Sequence, residues 1–200
     1  MRKVVSALSS LVKTVKIEKT DICAASLIFV ISLLFLWNFN TQAFETEDEY
    51  LGYYSALRLL ETGSVNLYNP LNEGYNTTII SPLFAVYKSK TEVYSPTSNG
   101  YLLLCYSLMF LFGRDFFFRI SSTFGALSIS LIYFISKDLL KSRVYAILTS
   151  SALLGMPLYL KWSISYFNNV PFVFFLLFSL YFLIRERKRE LNFLLAGTMF

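Results

Sequence analysis

The chain has 200 residues, 55% of them apolar and 18% aromatic, with a mean hydropathy of +0.52. That is too apolar for an ordinary soluble domain and points to several membrane segments. The net charge of +5 does not argue for a nucleic-acid partner, because the cations sit in short clusters beside apolar runs, which is how membrane topology is encoded. There is no histidine, so proton transfer in this portion falls to Asp, Glu, Lys, Tyr or the substrate. Cys23 and Cys105 lie in apolar stretches without metal-ligand spacing and read as small buried hydrophobes.

Residues 1–21 form a polar lead containing Arg2, Lys3, Lys13, Lys16 and Lys19. The unbroken apolar run 22–39, ICAASLIFVISLLFLWNF, is close to the ~20 residues needed to cross a bilayer. No small-residue cleavage pattern follows it, so it reads as an uncleaved first transmembrane helix rather than a signal peptide. Glu45, Glu47, Asp48 and Glu49 come next. The basic side being the inner one, the N-terminus is expected in the cytoplasm and the loop over 40–116 outside.

Two membrane-surface helices are expected in that loop, over 48–62 and 98–113. In the first, Asp48 is placed to cap the helix with Glu49 in its first turn, and Tyr50, Tyr53, Leu57 and Leu60 recur as one apolar stripe. Gly63 is placed to end it, before a turn-rich stretch containing Asn66, Asn69, Pro70, Asn72 and Gly74. From spacing alone, Asp48 and Glu49 are a helix cap and dipole compensation, worth about 0.3 to 2 kcal/mol. Asn76-Thr77-Thr78 matches the short N-glycosylation acceptor pattern, and Tyr94-Ser95-Pro96-Thr97 reads as a turn.

Further apolar runs lie at 101–113, 116–136, 144–160 and 166–184. If 101–113 crosses, the cluster Lys137, Lys141, Arg143 and the cluster Arg185, Arg187, Lys188, Arg189 both fall outside. If it lies in the outer interface, both fall inside, in accord with the positive-inside bias. The expected spans are therefore 22–39, 117–136, 144–161 and 167–184. The stretches 120–136 and 144–160 carry no acid or base, unlike a charge-lined conduit. The last ten residues, LNFLLAGTMF, begin another apolar run, so the chain reads as the N-terminal part of a longer protein.

The order of segments carries a family likeness: a first span, then TEDEYLGYYSALRLLETG, YSPTSNGYLLLCYSLMFLFG, RISSTFGALSISLIYFISKDLL and MPLYLKWSISYFNNVPFVFF. This resembles the GT-C superfamily of membrane glycosyltransferases, in particular the branch of protein O-mannosyltransferases and lipid A aminoarabinose transferases. The resemblance implies an all-α polytopic membrane protein with a GT-C-like N-terminal transmembrane module. It implies transfer of a sugar from a polyprenyl-phosphate donor to a protein or lipid/glycan acceptor on the extracytoplasmic side of the cell membrane. By the same resemblance Asp48, with Glu49 beside it, is the catalytic position, as base toward the acceptor or as ligand of a divalent cation.

Two features depart from the family pattern. Tyr94 stands where a Lys or His often precedes the proline signature, here Ser95-Pro96-Thr97. Asn169 stands where many relatives carry an acid two residues before a proline, here Pro171. An amide can bind a sugar or metal but cannot act as a base, so both positions are carried as substrate-binding. Arg119 and Lys161, outside and near the membrane, are candidates for the donor phosphate, against the alternative of snorkelling anchors. Two other classes stay open at this point: a transporter, and a non-catalytic membrane assembly subunit.

Overall fold

Long apolar runs fold as helices because a helix satisfies every backbone polar group internally, and in lipid no water replaces a missing partner. A computed structural model describes residues 18–40, 44, 47–68, 86–87, 92–94, 99–166 and 168–185, with Glu47, Asp48, Tyr68, 86–87, 92–94 and Arg185 described by backbone alone. Its helices are α1 (Lys19–Phe39), α2 (Glu47–Thr62), α3 (Asn99–Phe112), α4 (Ile120–Leu140), α5 (Arg143–Leu154), α6 (Pro157–Ile164) and α7 (Asn169–Arg185), with a 3-10 turn over Arg114–Arg119 leading into α4. Two helical stretches, Lys19–Phe39 and Arg114–Leu140, are long and apolar enough to cross a membrane. The pair α5 and α6 makes a third if its two halves form one span. Apart from one small sheet, the protein is an all-α membrane protein.

The single span expected over 144–161 is instead broken, α5 and α6 meeting at 65°. The cause is local. Gly155 closes α5 with its N–H on the Ser151 carbonyl at 3.0 Å, and Pro157, which has no N–H to give, opens α6 at its first position. A three-stranded antiparallel sheet, not anticipated from the turn-rich loop, pairs β1 (Leu67–Tyr68) and β2 (Val86–Tyr87) with a central β3 (Glu92–Tyr94). Its register sets Leu67 opposite Val93 and Val86 opposite Tyr94. The glycosylation pattern at 76–78 and the turn at 95–97 lie outside the described residues.

Helix α4 is the axis of the bundle, packed against α1, α5, α6 and α7. It buries Ser121, Ser122, Gly125, Ala126 and Ser128 among larger residues, the small side chains that let helices approach closely in lipid. Gly125 marks the tightest point: a methyl group there would meet Ser163 Oγ at 2.8 Å, Ser163 Cβ at 3.0 Å and Leu36 Cδ1 at 3.2 Å. Polar groups also cross between helices, Ser130 Oγ donating to the Ala25 carbonyl at 3.1 Å and Tyr159 to the Gly125 carbonyl at 2.9 Å. The outward faces are apolar, with Leu27, Ile31, Leu34, Leu148, Phe172 and Leu180 exposed, as a lipid-facing surface requires.

At the start of α1, Asp21 is fully buried between two cations. Lys137 pairs with Oδ2, while Arg143 Nε donates to Oδ1 at 2.8 Å. Arg143 reaches Glu18 as well, at 2.5 Å. Two of the three basic residues of the Lys137, Lys141, Arg143 cluster thus have a buried structural partner in addition to any topological role.

Candidate functional site

The other end of the bundle holds a second buried polar network, which takes in Glu49 and the Phe118 carbonyl beside Arg119. Helix α2 begins at Glu47, so Asp48 lies inside its first turn rather than at the cap. Its buried side carries Glu49, Leu51, Ser55 and Ala56. Tyr53, Leu57 and Leu60 pack against the adjoining core, while Tyr50, expected to head the same stripe, is exposed. The small residues at 55 and 56 let the α2 backbone settle close to α3.

Glu49 is only 2% exposed, and its Oε1 accepts the backbone N–H of Tyr166 at 3.0 Å. Tyr166 sits in the short loop between α6 and α7, and further bonds fix it and its neighbours. Its hydroxyl donates to Asn40 Oδ1 at 2.8 Å, and its carbonyl accepts the Tyr101 hydroxyl at 3.0 Å. Asn40, the residue that ends α1, donates from Nδ2 to the Phe118 carbonyl and to Ser122 Oγ, and Ser122 in turn donates to the Ser163 carbonyl at 2.9 Å. An aromatic shell closes over the network: the Phe44 ring lies 5.8 Å from Tyr166, 5.6 Å from Phe118 and 5.5 Å from Tyr53. Burial raises the Tyr53 phenol above its ordinary value, with Tyr54 and Asp115 adding to the effect.

The expected cationic and amide positions stand around this network. Arg119 follows Phe118 and is exposed, its guanidinium 4.6 Å from the centre of the Trp37 ring, a cation–π contact near the C-terminal end of α1. The Trp37 indole N–H has no hydrogen-bond partner among the described residues. Lys161 is exposed in the last turn of α6, and its carbonyl accepts the Ser165 N–H at 3.2 Å at the start of the loop that carries Tyr166. Asn169, also exposed, opens α7 three residues after Tyr166. Tyr94 lies on the central strand of the small sheet; its side chain, like that of Asp48, lies outside the described residues.

A family model for dolichyl-phosphate-mannose-protein mannosyltransferase matches residues 100–200. The chain belongs to this family. The mannosyltransferase match confirms the GT-C likeness and makes the protein a membrane glycosyltransferase, which sets aside the transporter and the non-catalytic subunit. No curated protein and no solved structure matches the chain. The matched stretch includes Tyr101, Arg119, Lys161, Tyr166 and Asn169, and the bonds above join it to Asn40 and Glu49, which precede it.

Sequence reasoning missed Asn40, Tyr101 and Tyr166. A tyrosine beside an apolar run is an ordinary interface residue, and an asparagine after one is an ordinary helix end. The available signal was placement: both Asn40 and Tyr166 stand where an apolar helix stops. Among the described residues no three His, Cys, Asp or Glu side chains come together as a metal cluster.

Proposed function

We propose that this glycosyltransferase moves a mannose-type sugar from a polyprenyl-phosphate donor to a protein hydroxyl on the extracytoplasmic side. It would do so as a multi-pass protein of the cell membrane with its N-terminus in the cytoplasm. The family match supports the donor and acceptor classes, and the basic clusters at 137–143 and in the N-terminal lead support the orientation. The observation that carries the reading is the buried bond from Glu49 to the Tyr166 amide. It anchors the turn bearing Asp48 to the loop that leads into Asn169, beside the Phe118–Arg119 segment.

In this arrangement Asp48 takes the proton of the acceptor hydroxyl as its oxygen attacks the anomeric carbon. The bond from that carbon to the phosphate oxygen breaks, and polyprenyl phosphate leaves with the electron pair. Arg119 and Lys161 supply positive charge for the leaving phosphate, and the unpartnered Trp37 N–H beside Arg119 adds a donor. Asn169 and Tyr94 contribute hydrogen bonds to the sugar or acceptor. Asp48 is also the residue assigned to a divalent cation, which would neutralise phosphate charge when bound.

The test is sugar transfer by the full-length protein in membranes, from polyprenyl-phosphate mannose to a Ser/Thr peptide, comparing wild type, Asp48→Asn and Asp48→Glu at equal abundance. Loss of at least about 100-fold in Asp48→Asn, with normal abundance, is expected for a general base. Equal transfer by Asp48→Asn and wild type would remove Asp48 from the chemistry.

A further inference from the structure

We propose that Glu49 is a positioning residue: as a hydrogen-bond acceptor for the Tyr166 amide, it holds the α6–α7 loop against the turn that carries Asp48. The proposal rests on the functional reading above and deepens it, because it divides the acidic pair into one residue for the reaction and one for the frame.

The geometry of Glu49 argues for the frame. Glu49 is 2% exposed, and its Oε1 is spent on a backbone N–H that belongs to another element of the fold, 117 residues away in sequence. A group that takes a proton from an acceptor hydroxyl needs an oxygen within reach of incoming substrate. An oxygen already accepting a buried amide is placed for holding. What it holds is a loop whose other described bonds run to other helices or back on itself. Ser165 is tied back to Lys161, the Tyr166 carbonyl takes the Tyr101 hydroxyl, and the Tyr166 hydroxyl goes to Asn40. The Glu49 bond is the described hydrogen bond that joins this loop to α2. Asn169 begins the next helix, so its place relative to Asp48 depends on that bond.

The chemistry of an acceptor makes the proposal separable from its rival. A glutamine at 49 keeps an oxygen that can receive the Tyr166 amide but can neither take up a proton nor bring a charge. Alanine keeps neither. If Glu49 positions the loop, Glu49→Gln rescues what Glu49→Ala loses. If it works as an acid, a base or a charged ligand, the two variants fail together.

The experiment uses the full-length protein in detergent or nanodiscs, with two readouts on wild type, Glu49→Gln and Glu49→Ala. The first is hydrogen exchange of the peptide covering residues 163–170, which needs no substrate. Protection near wild type is expected in Glu49→Gln and faster exchange, by about tenfold or more, in Glu49→Ala. Unchanged protection in Glu49→Ala overturns the tie. The second is transfer from polyprenyl-phosphate mannose. Glu49→Gln is expected within about fivefold of wild-type kcat with an unshifted pH profile, while Glu49→Ala loses kcat by about 10- to 100-fold. A Glu49→Gln protein that keeps its loop protection yet falls as far as Glu49→Ala overturns the positioning role. Wild-type protein that transfers nothing from this donor overturns the donor assignment instead, and the exchange readout still decides the tie.

Discussion

The Tyr166 hydroxyl donates to Asn40 Oδ1 at 2.8 Å, joining the loop before α7 to the residue that caps the first helix across 126 positions of sequence. Asn40 passes the connection on to Phe118 and Ser122, so three segments meet at one side-chain amide. An amide offers both donors and an acceptor, and here both kinds are used. A carboxyl or a hydrocarbon of the same size would satisfy one kind at most.

Tyr166→Phe removes the hydroxyl and keeps the ring and the backbone N–H. The Asn40 oxygen is left without that donor in a half-buried place, at an expected cost of about 1 to 2 kcal/mol. Thermal unfolding in a fixed detergent should register the loss, while the exchange protection given by Glu49 persists. An unchanged melting temperature would show that water replaces the hydroxyl without penalty.

Asp21→Asn should be among the most damaging substitutions at the other end of the bundle. It leaves Lys137 and Arg143 facing each other without the buried carboxylate between them, where breaking a buried pair costs about 3 to 5 kcal/mol. The double variant with Lys137→Met should recover part of the loss, because it removes a charge together with its missing partner. Additive losses in the two single variants would contradict the coupling.

Gly125→Val should destabilise by about 1 to 3 kcal/mol, because even the first added carbon comes within 3.0 Å of Ser163 Cβ. The companion change Ser163→Gly opens that space and is expected to return much of the stability. Yield of folded protein by size-exclusion chromatography, with melting temperature, reads both.

The alkaline limb of stability has a definite sign. Burial pushes the Cys105 thiol up to about 12, and burial raises the Tyr53 phenol in the same direction. The folded state therefore keeps protons that the unfolded chain begins to release above about pH 8.5, and stability is full below that point and falls as pH rises toward the folded values. Melting temperature should hold steady from about pH 6 to 8 and decline above about pH 9, with Cys105 refractory to maleimide until the protein is unfolded. Labelling of Cys105 in the folded protein at neutral pH would refute its protonated, enclosed state.

What could be read from the sequence was the part set by periodicity and composition. The apolar runs became helices because lipid leaves the backbone no other partner, and the ends of α1 and α4 follow from where their polar neighbours begin. The break between α5 and α6 at Gly155 and Pro157 is hidden by the apolarity on both sides, which reads as one span over 144–161. Asp21 lay unnoticed at the edge of a polar lead, since its importance comes from Lys137 and Arg143, more than a hundred residues later. Glu49 was singled out by its neighbour and its charge, but its partner is a backbone amide, and no side-chain pattern announces that. The three short strands, each of two or three residues, are too brief to carry an alternation.

The contact between Gly125 and Ser163 gives the Asn40 end of the bundle a fulcrum. Ser163 stands three residues ahead of Tyr166, and there is no room for so much as a methyl group between it and the axis of α4. The loop that presents Asn168 and Asn169 is thereby hinged to the most deeply packed helix of the bundle. Helix α2 meets that loop through the buried carboxyl of Glu49, packs Tyr53, Leu57 and Leu60 on the adjoining core, and pairs Glu61 with Arg114 at its exposed side. Glu49 is thus the polar contact by which α2 meets a part of the fold that the close approach of Gly125 and Ser163 holds fixed.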